Sequence, residues 1–374
     1  MIIRDLQPII EKKLFKGKAI VLIGPRQVGK TTLINQIADK VQLQTLIFNC
    51  DEPESRALLT DTNTVKLKQY IGSHKLLLID EAQRVKNIGL TLKLIVDNIK
   101  EVQLLVTGSS SFDLANEINE PLTGRKYEYN LFPFSMNELV VNRNLMIEKQ
   151  LLEQRLIYGS YPDIINFPEE SAENLYNIVE SYLYKDLLAF NDVRKPAQLE
   201  KLVQTLALQV CNEVSYNEIG QIIQADNQTV ERYIDLLEQS FVVFRLGAFS
   251  GNLRNEIRKN RKIYFYDNGV RNAVIQNFSP LNLRQDVGAL WENYFVSERK
   301  KRNHYTRYFA RSYFWRSFQQ QEIDLIEQHD GKLTAYEIKW NAKKKHKIPK
   351  TFSDSYQPEK SFIVTPENYM DFLL

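Results

Sequence analysis

Nine residues near the amino terminus combine two glycines, a lysine and two threonines directly after an apolar run. The segment GPRQVGKTT, Gly24–Thr32, follows AIVLI, which predicts a buried strand. Glycines in this order let backbone N–H groups close around phosphates, while Lys30 faces the β- and γ-phosphates and the Thr31 hydroxyl reaches Mg²⁺. The flanking strand, and the helix expected after the loop, disfavour a chance match. The pattern therefore predicts binding of a nucleoside triphosphate with Mg²⁺, through Gly24, Pro25, Arg26, Gln27, Val28, Gly29, Lys30, Thr31 and Thr32.

A second apolar run, Leu76–Ile79, ends in two carboxylates. The run predicts a buried parallel strand, and ligands of open α/β sheets bind at the carboxyl ends of such strands. We expect Asp80 to hold the Mg²⁺ and Glu81 to polarise the attacking water as catalytic base. The alternative is an ordinary strand followed by a solvated acidic turn.

Further polar residues are candidates for contacts with the γ-phosphate. The strand predicted at 103–106 leads into TGSSS, where Ser109 or Ser110 could contact the phosphate or the water, although a plain Gly/Ser turn explains either serine equally well. Multimeric ATPases supply an arginine to the γ-phosphate. Arg125 is the first candidate for that role and Arg26 the second, and a salt-bridged surface arginine is the alternative for both.

The C-terminal third contains a second group of residues whose types could support catalysis. Glu292 lies in an amphipathic segment, Asp324 in a predicted strand, and Glu337 and Lys339 alternate on one face of another strand. A hairpin turn at 329–332 is expected to bring the two strands together. Carboxylates with a lysine can hold Mg²⁺, here at Asp324 and Glu337, and activate a water for phosphodiester attack. The alternative is a solvated strand face of alternating charges.

Between these two sites the chain changes character. Residues up to about 140 alternate strands and helices, which predicts a parallel sheet, and the next fifty residues are helical. Residues 216–223 and 228–239 predict a helix-turn-helix, followed by a strand at 241–246, as in a winged helix. The second helix offers few basic or amide side chains, so packing or partner binding is favoured over sequence-specific readout.

The segment 251–316 carries fourteen basic residues against five acidic ones, with aromatic residues interleaved. Such a stripe suits a phosphate backbone and stacked bases, so DNA is the expected partner. A solvated basic face with the aromatic residues packed below it is the alternative.

Overall composition indicates a multidomain intracellular protein. The chain has 374 residues and a net charge of +3, which is too small to support an argument by itself. Two cysteines provide no disulfide framework or zinc spacing, and no apolar stretch is long enough for a signal peptide or a membrane span. We therefore expect a cytoplasmic location and no membrane contact.

Taken together, these motifs resemble the bacterial and archaeal AAA-type ATPases that carry a winged helix and a C-terminal restriction-endonuclease-like (PD-(D/E)XK) domain. The resemblance rests on GPRQVGKTT, LLLIDEAQ, TGSSS, LTGR, LFPFS, YFYDNG, QEIDLI and YEIKW. It implies Mg²⁺-ATP hydrolysis by Lys30, Thr31, Asp80 and Glu81, and a nuclease fold that gathers Glu292, Asp324, Glu337 and Lys339.

The expected fold class is α/β: a P-loop parallel sheet with helices, then a helical and winged-helix region, then a small α/β nuclease-like domain. The expected domains are 1–143, 144–195, 196–250 and 251–374. The predicted function is a Mg²⁺-dependent ATPase coupled to a nucleic-acid-associated, nuclease-like module. The alternative is a signalling ATPase switch whose C-terminal module only binds a protein or DNA partner. A homo-oligomer or a protein partner is expected at the winged helix.

Overall fold

The structure is a computed structural model that describes residues 2–109, 118, 120–186, 195–250, 261–343 and 346–374. Its contacts divide the chain into two compact units. The first comprises Met1–Phe134 with Gln239–Phe241, and the second comprises Ser135–Glu238 with Val242–Leu374. Ser110 lies outside the described residues, as do Arg254, Arg258 and Lys259 of the basic stripe.

Five described strands form a parallel sheet in the first unit, in the order β2-β3-β4-β1-β5. Apolar runs without polar alternation build β1, β3 and β4, which are buried along their whole length, as a sheet covered on both faces requires. The strands are β1 Ala19–Ile23, β2 Thr45–Asn49, β3 Leu76–Asp80, β4 Gln103–Gly108 and β5 Lys126–Asn130. The parallel register aligns their carboxyl ends, with Ile23 opposite Gly108 and Asn49 opposite Asp80.

Helices of this unit connect the strands. They are α1 Leu6–Glu11, α2 Lys30–Val41, α3 Pro53–Leu59, α4 Thr64–Ile71 and α5 Ile88–Asn98, and a 3₁₀ turn covers Ala82–Arg84. The predicted loop lies between β1 and α2. Gly29 ends it with φ +89°, a left-handed conformation that favours glycine.

The back of this loop is fixed by two close contacts. Buried Arg4 donates from Nη1 to the Val28 carbonyl (2.8 Å) and from Nη2 to the Phe132 carbonyl (2.5 Å). A Cβ added to Gly24 would lie 2.1 Å from the Leu131 carbonyl oxygen. The loop therefore rests on the chain that leaves β5, and position 24 accepts only glycine.

Helices open the second unit. They are α6 Met136–Asn142, α7 Leu145–Gln150, α8 Leu152–Tyr158, α9 Pro162–Asn166, a 3₁₀ turn at Pro168–Glu170, α10 Ser171–Ile178, π turns at Val179–Asp186, α11 Pro196–Leu208, α12 Tyr216–Ile223, α13 Asn227–Gln239, α14 Asn268–Val274, a 3₁₀ turn at Leu281–Leu283, α15 Val287–Tyr305, α16 Lys350–Tyr356 and α17 Met370–Leu373. The predicted helix-turn-helix is confirmed as α12 and α13. Ser215 caps α12 by accepting from the Glu218 N–H.

Seven described strands of this unit form one mixed sheet, in the order β12-β11-β10-β9-β7-β8-β6. They are β6 Glu213–Val214, β7 Val243–Ala248, β8 Arg261–Phe265, β9 Arg311–Arg316, β10 Glu322–His329, β11 Lys332–Ile338 and β12 Lys360–Val364. The predicted hairpin is confirmed, since Asp330 and Gly331, both with positive φ, join β10 to β11.

This sheet crosses the domain boundary that the sequence predicts at residue 250, because β6 and β7 precede it and β8–β12 follow. The contacts between α15 and β8 are polar and buried. The Phe265 N–H donates to the Asn293 side chain (2.7 Å), and Asn293 donates back to the Phe265 carbonyl (3.1 Å). This clamp fixes the neighbouring Glu292 against the sheet.

No helix among the described residues is long and apolar enough to cross a membrane.

Replacing Gly24 with alanine should destabilise the first unit, because the methyl group would overlap the Leu131 carbonyl. We expect a loss of about 1–3 kcal/mol in unfolding free energy and weaker nucleotide binding. Urea unfolding and titration with a fluorescent ATP analogue would measure both. Gly288→Ala is the matched control, since a Cβ there meets open space; equal behaviour of the two variants would contradict the packing argument.

Candidate functional site

The Lys30 ammonium lies inside the loop that precedes α2. Its Nζ donates to the carbonyl oxygens of Gly24 (3.0 Å) and Pro25 (2.9 Å), and the side chain is buried. The lysine is therefore held by its own loop, at the edge of the sheet where the strands end. A phosphate entering this loop would meet a fixed ammonium and the loop N–H groups.

Asp80 connects three segments at this edge. Its Oδ2 accepts a hydrogen bond from the Thr31 hydroxyl (2.8 Å), and its Oδ1 accepts one from the Thr107 hydroxyl at the end of β4. The Thr107 oxygen in turn accepts from the Glu81 N–H (3.1 Å). Hydroxyl and carboxylate oxygens are the ligands that Mg²⁺ prefers, so Thr31 and Asp80 together fit this ion.

Glu81 is oriented by a glutamine that the sequence analysis did not single out. Gln83 Nε2 donates to Glu81 Oε2 (2.6 Å) and to the Ser109 hydroxyl (2.8 Å). Glu81 itself has φ +52°, an uncommon conformation for a residue with a side chain, and such outliers concentrate at functional sites. The structure thus brings Ser109 to Glu81, and it adds Gln83 and Thr107 to the predicted set.

Burial shifts the titration of the loop lysine. Desolvation lowers the pKa of Lys30 from 10.5 to about 8, against the opposing attraction of Glu81 and Asp80. The ammonium is still mostly charged at neutral pH. A bound polyanion would favour the charged form and raise this pKa again.

Arg125 does not approach Lys30 within its own unit. It precedes β5, and its carbonyl accepts from the Ala19 N–H at the start of β1, which is the edge of the sheet opposite the loop. Its side chain pairs with Asp97 at 2.7 Å. Since each five-residue strand is roughly 16 Å long, Arg125 cannot reach a phosphate on its own loop. Arg26 lies in the loop itself.

In the second unit the structure brings together the predicted carboxylates and lysine. Lys339 Nζ lies 3.1 Å from Asp324 Oδ2 and 2.8 Å from Glu337 Oε1, and the Ile338 N–H donates to Asp324 (2.7 Å). Asp324 lies on β10, Glu337 on β11 and Lys339 directly after β11. The hairpin therefore produces the convergence that the sequence predicts.

A second lysine, which the sequence analysis did not name for this site, joins the cluster from β8. The buried Lys262 contacts Glu292 (3.0 Å) and Glu322, and Tyr264 donates to Glu292 (2.7 Å). Burial lowers the pKa of Lys262, but the three surrounding carboxylates, Glu292, Asp324 and Glu322, outweigh it and raise that pKa overall. Lys262 thus stays charged and offsets part of the buried negative charge.

The carboxylates of this cluster remain incompletely neutralised. Burial and the nearby Asp324 raise the pKa values of Glu292 and Glu337 to about 7 in each case, although Lys262 and Lys339 act in the opposite direction. Glu337 Oε2 is buried and has no hydrogen-bond partner. This orphaned oxygen is the feature that fits a cation. Among the described residues, however, no three His, Cys, Asp or Glu side chains are already arranged to hold a metal ion.

The described part of the predicted basic stripe, residues 261–316, does not form one exposed basic surface. Several of its basic residues are buried in internal ion pairs: Lys262 with Glu292, Arg271 and Arg284 with Asp286, Arg299 with Glu327, and Lys301 with Glu298. Tyr294, Phe295, Tyr305, Phe314 and Trp315 are core residues. Asp286, Glu292 and Glu298 belong to the segment itself. Carboxylates outside the segment, which a count along it does not include, pair with Arg299 (Glu327), Lys262 (Glu322) and Arg316 (Glu213).

Comparison with known families assigns an AAA domain to residues 16–140. Residues 149–281 and 287–371 match two domains of unknown function, DUF8612 and DUF4143. Residues 16–140 therefore resemble an AAA-type P-loop domain, and nucleotide hydrolysis is the activity that this resemblance suggests.

Relatives across most of the chain occur in bacteria and archaea. An uncharacterised protein of Mycobacterium tuberculosis is 26% identical over 344 residues, covering 90% of this chain and 73% of the relative. One from Methanocaldococcus jannaschii is 25% identical over 314 residues, covering 78% and 69%. Their names assign no activity.

Solved structures similar to this chain include two DNA-associated proteins. The Thermotoga maritima RuvB Holliday junction branch migration motor is 15% identical, with a TM-score of 0.33, covering 65% of this chain and 90% of that one. Drosophila ORC bound to AT-rich DNA and Cdc6 is 11% identical, with a TM-score of 0.27, covering 73% and 89%. Neither structure superposes well on the whole chain.

Thr107→Val should impair turnover more than nucleotide binding, because it removes the hydroxyl that joins Asp80 to the Glu81 backbone and leaves the loop intact. We expect a decrease in kcat of about 10-fold or more for this second-layer contact. Steady-state phosphate release and equilibrium binding of an ATP analogue separate the two effects. Thr91→Val, a buried threonine that donates to the Leu59 carbonyl far from this edge, is the control. An unchanged kcat in Thr107→Val would contradict the assigned contact.

Nucleotide binding should take up protons at alkaline pH. At pH 8.5 the unliganded Lys30 is largely neutral, since its pKa is about 8, and bound phosphates favour its charged form. At pH 6.5 the Lys30 ammonium is already charged before the nucleotide binds, so Lys30 should then take up almost no proton on binding. Calorimetry of Mg²⁺-ATP binding in buffers of different ionisation enthalpy counts the protons. A heat at pH 8.5 that does not depend on the buffer would contradict the shifted pKa.

Proposed function

We propose that the first unit hydrolyses ATP to ADP and phosphate with Mg²⁺. The observation that supports this most strongly is the chain of contacts from Thr31 through Asp80 and Thr107 to Glu81, beside the buried Lys30. These contacts support the proposal, because Lys30, the oxygens of Thr31 and Asp80, and the candidate base Glu81 then lie at one edge of one sheet. The AAA domain match is consistent with this assignment.

Each side chain has a distinct task in this proposal. Lys30 exchanges its bonds to the loop carbonyls for bonds to the β- and γ-phosphates. Glu81, held by Gln83, accepts a proton from the attacking water as the water oxygen bonds to the γ-phosphorus and the bond to the bridging oxygen breaks. When Thr31 and Asp80 hold Mg²⁺, the ion would neutralise negative charge on the phosphates.

Arg125 fits this scheme only in an assembly of several copies. It lies at the opposite edge of the sheet from its own loop, so contact with a γ-phosphate requires the nucleotide of a neighbouring copy. Arginine supplied in trans is a known solution in such ATPases. We propose a homo-oligomer on this basis, with the helix pair α12 and α13 as a further surface for a protein partner.

We further propose that the second unit is a nuclease-like module. Asp324 and Glu337 would hold Mg²⁺, which supplies a Lewis acid for attack on a phosphodiester. Lys339 bridges both carboxylates and is placed to orient the attacking water, and Glu292 closes the cluster from α15. The orphaned Glu337 oxygen is the observation that favours a cation here.

A binding platform without catalysis is the second candidate for this unit. It is favoured by one observation: in the described part of the chain no three acidic, cysteine or histidine side chains are arranged around a common metal position. Both lysines hold the carboxylates in ion pairs instead. Cleavage and binding assays on the same DNA distinguish the two candidates.

Lys30→Ala should reduce ATP turnover by at least about 100-fold, because the charge that faces the phosphates is lost. Glu81→Gln should reduce kcat to a similar extent while nucleotide binding persists. Phosphate release and analogue binding measure these effects. Lys40→Ala is the control, since Lys40 is an exposed lysine of the same helix that pairs with Glu11. Turnover that survives Lys30→Ala would rule out the assigned site.

Glu337→Gln and Lys339→Met should each abolish Mg²⁺-dependent cutting of DNA, since both side chains contact the proposed metal and water positions. The assay compares single-stranded, linear and supercoiled DNA with Mg²⁺ and with EDTA. Lys332→Met on the same strand is the control, because Lys332 is exposed and pairs with Glu359. If the unmodified protein binds these DNAs and leaves all of them intact, the platform function is correct and the nuclease function is wrong.

A further inference from the structure

The most exposed large apolar side chain of the described residues lies beside the carboxylate cluster of the second unit. Phe318 is fully exposed, in the turn that joins β9 to β10. Asp324 is the third residue of β10, and Glu322 pairs with Arg316 across the hairpin. At roughly 3.3 Å per strand residue, the turn lies about 10–15 Å from Asp324.

The turn that carries Phe318 is closed by its own hydrogen bonds. The Ser317 N–H donates to the Gln321 carbonyl (2.8 Å), the Gln320 N–H donates to the Ser317 carbonyl (3.1 Å), and the Gln321 N–H donates to the Ser317 hydroxyl (3.1 Å). An aromatic side chain on a closed turn loses little conformational freedom when a partner stacks on it. Burial of Phe318 by such a partner would remove a large apolar surface from water.

A basic segment lies next to the same turn. The Thr351 hydroxyl donates to the Gln321 side chain, which ties the start of α16 to the turn. Immediately before Thr351, the exposed lysines are Lys343, Lys347 and Lys350. The segment follows Lys339 of the cluster along the chain, and Thr351 at its end contacts the turn that carries Phe318, so these lysines lie in the chain that connects the cluster to the turn.

We propose that Phe318 and these three lysines hold a nucleic-acid strand, with an unpaired base stacked on Phe318 and the backbone phosphates near the lysines. This proposal rests on the nuclease-like function proposed for the second unit. It extends that function by naming the residues that would hold the substrate strand. An aromatic platform beside a positively charged track is the combination that binds single strands without reading their sequence.

The proposed surface, Phe318 with the three lysines, differs from the basic stripe at 251–316 that the sequence predicts as the DNA-binding surface. Several basic residues of 251–316 form internal ion pairs, whereas Lys343, Lys347 and Lys350 are exposed and lie outside that stripe. Phe309 is the alternative candidate for base stacking, because it belongs to the predicted stripe and is 74% exposed between α15 and β9. The two aromatic residues therefore distinguish the two surfaces.

The test is fluorescence anisotropy of a fluorescein-labelled 20-nucleotide oligo-dT strand with the full-length protein, in EDTA so that neither cleavage nor ATP turnover occurs. Phe318→Ala should weaken binding by about 5- to 100-fold, the range for loss of one stacked base. Phe309→Ala should leave the affinity unchanged. Affinity for DNA falls as the salt concentration rises. In the combined Lys343→Gln, Lys347→Gln and Lys350→Gln variant, the negative slope of log affinity against log salt should become shallower by about 2.

Three results would overturn the proposal: no binding by the unmodified protein, equal affinities of Phe318→Ala and the parent, or a loss confined to Phe309→Ala. A urea unfolding curve of Phe318→Ala that matches the parent, as expected for a fully exposed side chain, shows that the second unit of the variant is folded. Because the assay needs no cutting, the nuclease assignment can fail while Phe318-dependent binding persists. The second unit would then be a nucleic-acid platform that uses this same edge.

Discussion

The Asp80 carboxylate is the interaction on which the nucleotide site depends. One of its oxygens holds the hydroxyl that follows the loop lysine, and the other holds the hydroxyl at the end of the next strand. That second hydroxyl accepts from the backbone of Glu81. The parallel register makes this possible, because it ends neighbouring strands at one edge. Loop, metal position and base therefore share a single hydrogen-bonded frame.

The second unit depends on a different constraint, the burial of more negative than positive charge. Glu292, Glu322, Asp324 and Glu337 meet two lysines. Burial, together with repulsion from Asp324, raises the pKa values of Glu292 and Glu337. Carboxylates in this state gain from a cation or from contact with a cationic partner. This excess of carboxylates supports the cation that we propose for the second unit.

Local patterns predicted much of this molecule, and tertiary packing decided the rest. The helix pair 216–239, the Asp-Gly hairpin and the strand ends at Ile23 and Asp80 follow from periodicity and turn chemistry over a few residues. Thr107 and Gln83 could not be found in this way, because their contact with Asp80 and Glu81 depends on strand register. The described basic residues of the stripe were misjudged for a related reason: Arg299 on α15 pairs with Glu327 on β10, and a charge count along one segment does not include that partner.

The most direct test of the central claim is the effect of Mg²⁺ on the affinity for a non-hydrolysable ATP analogue. The unmodified protein should bind the analogue more tightly with Mg²⁺ than with EDTA. Asp80→Asn keeps the size of the side chain and removes its charge. It should abolish that difference and leave the metal-free affinity nearly unchanged. An Asp80→Asn protein that retains the full Mg²⁺ enhancement would contradict the account.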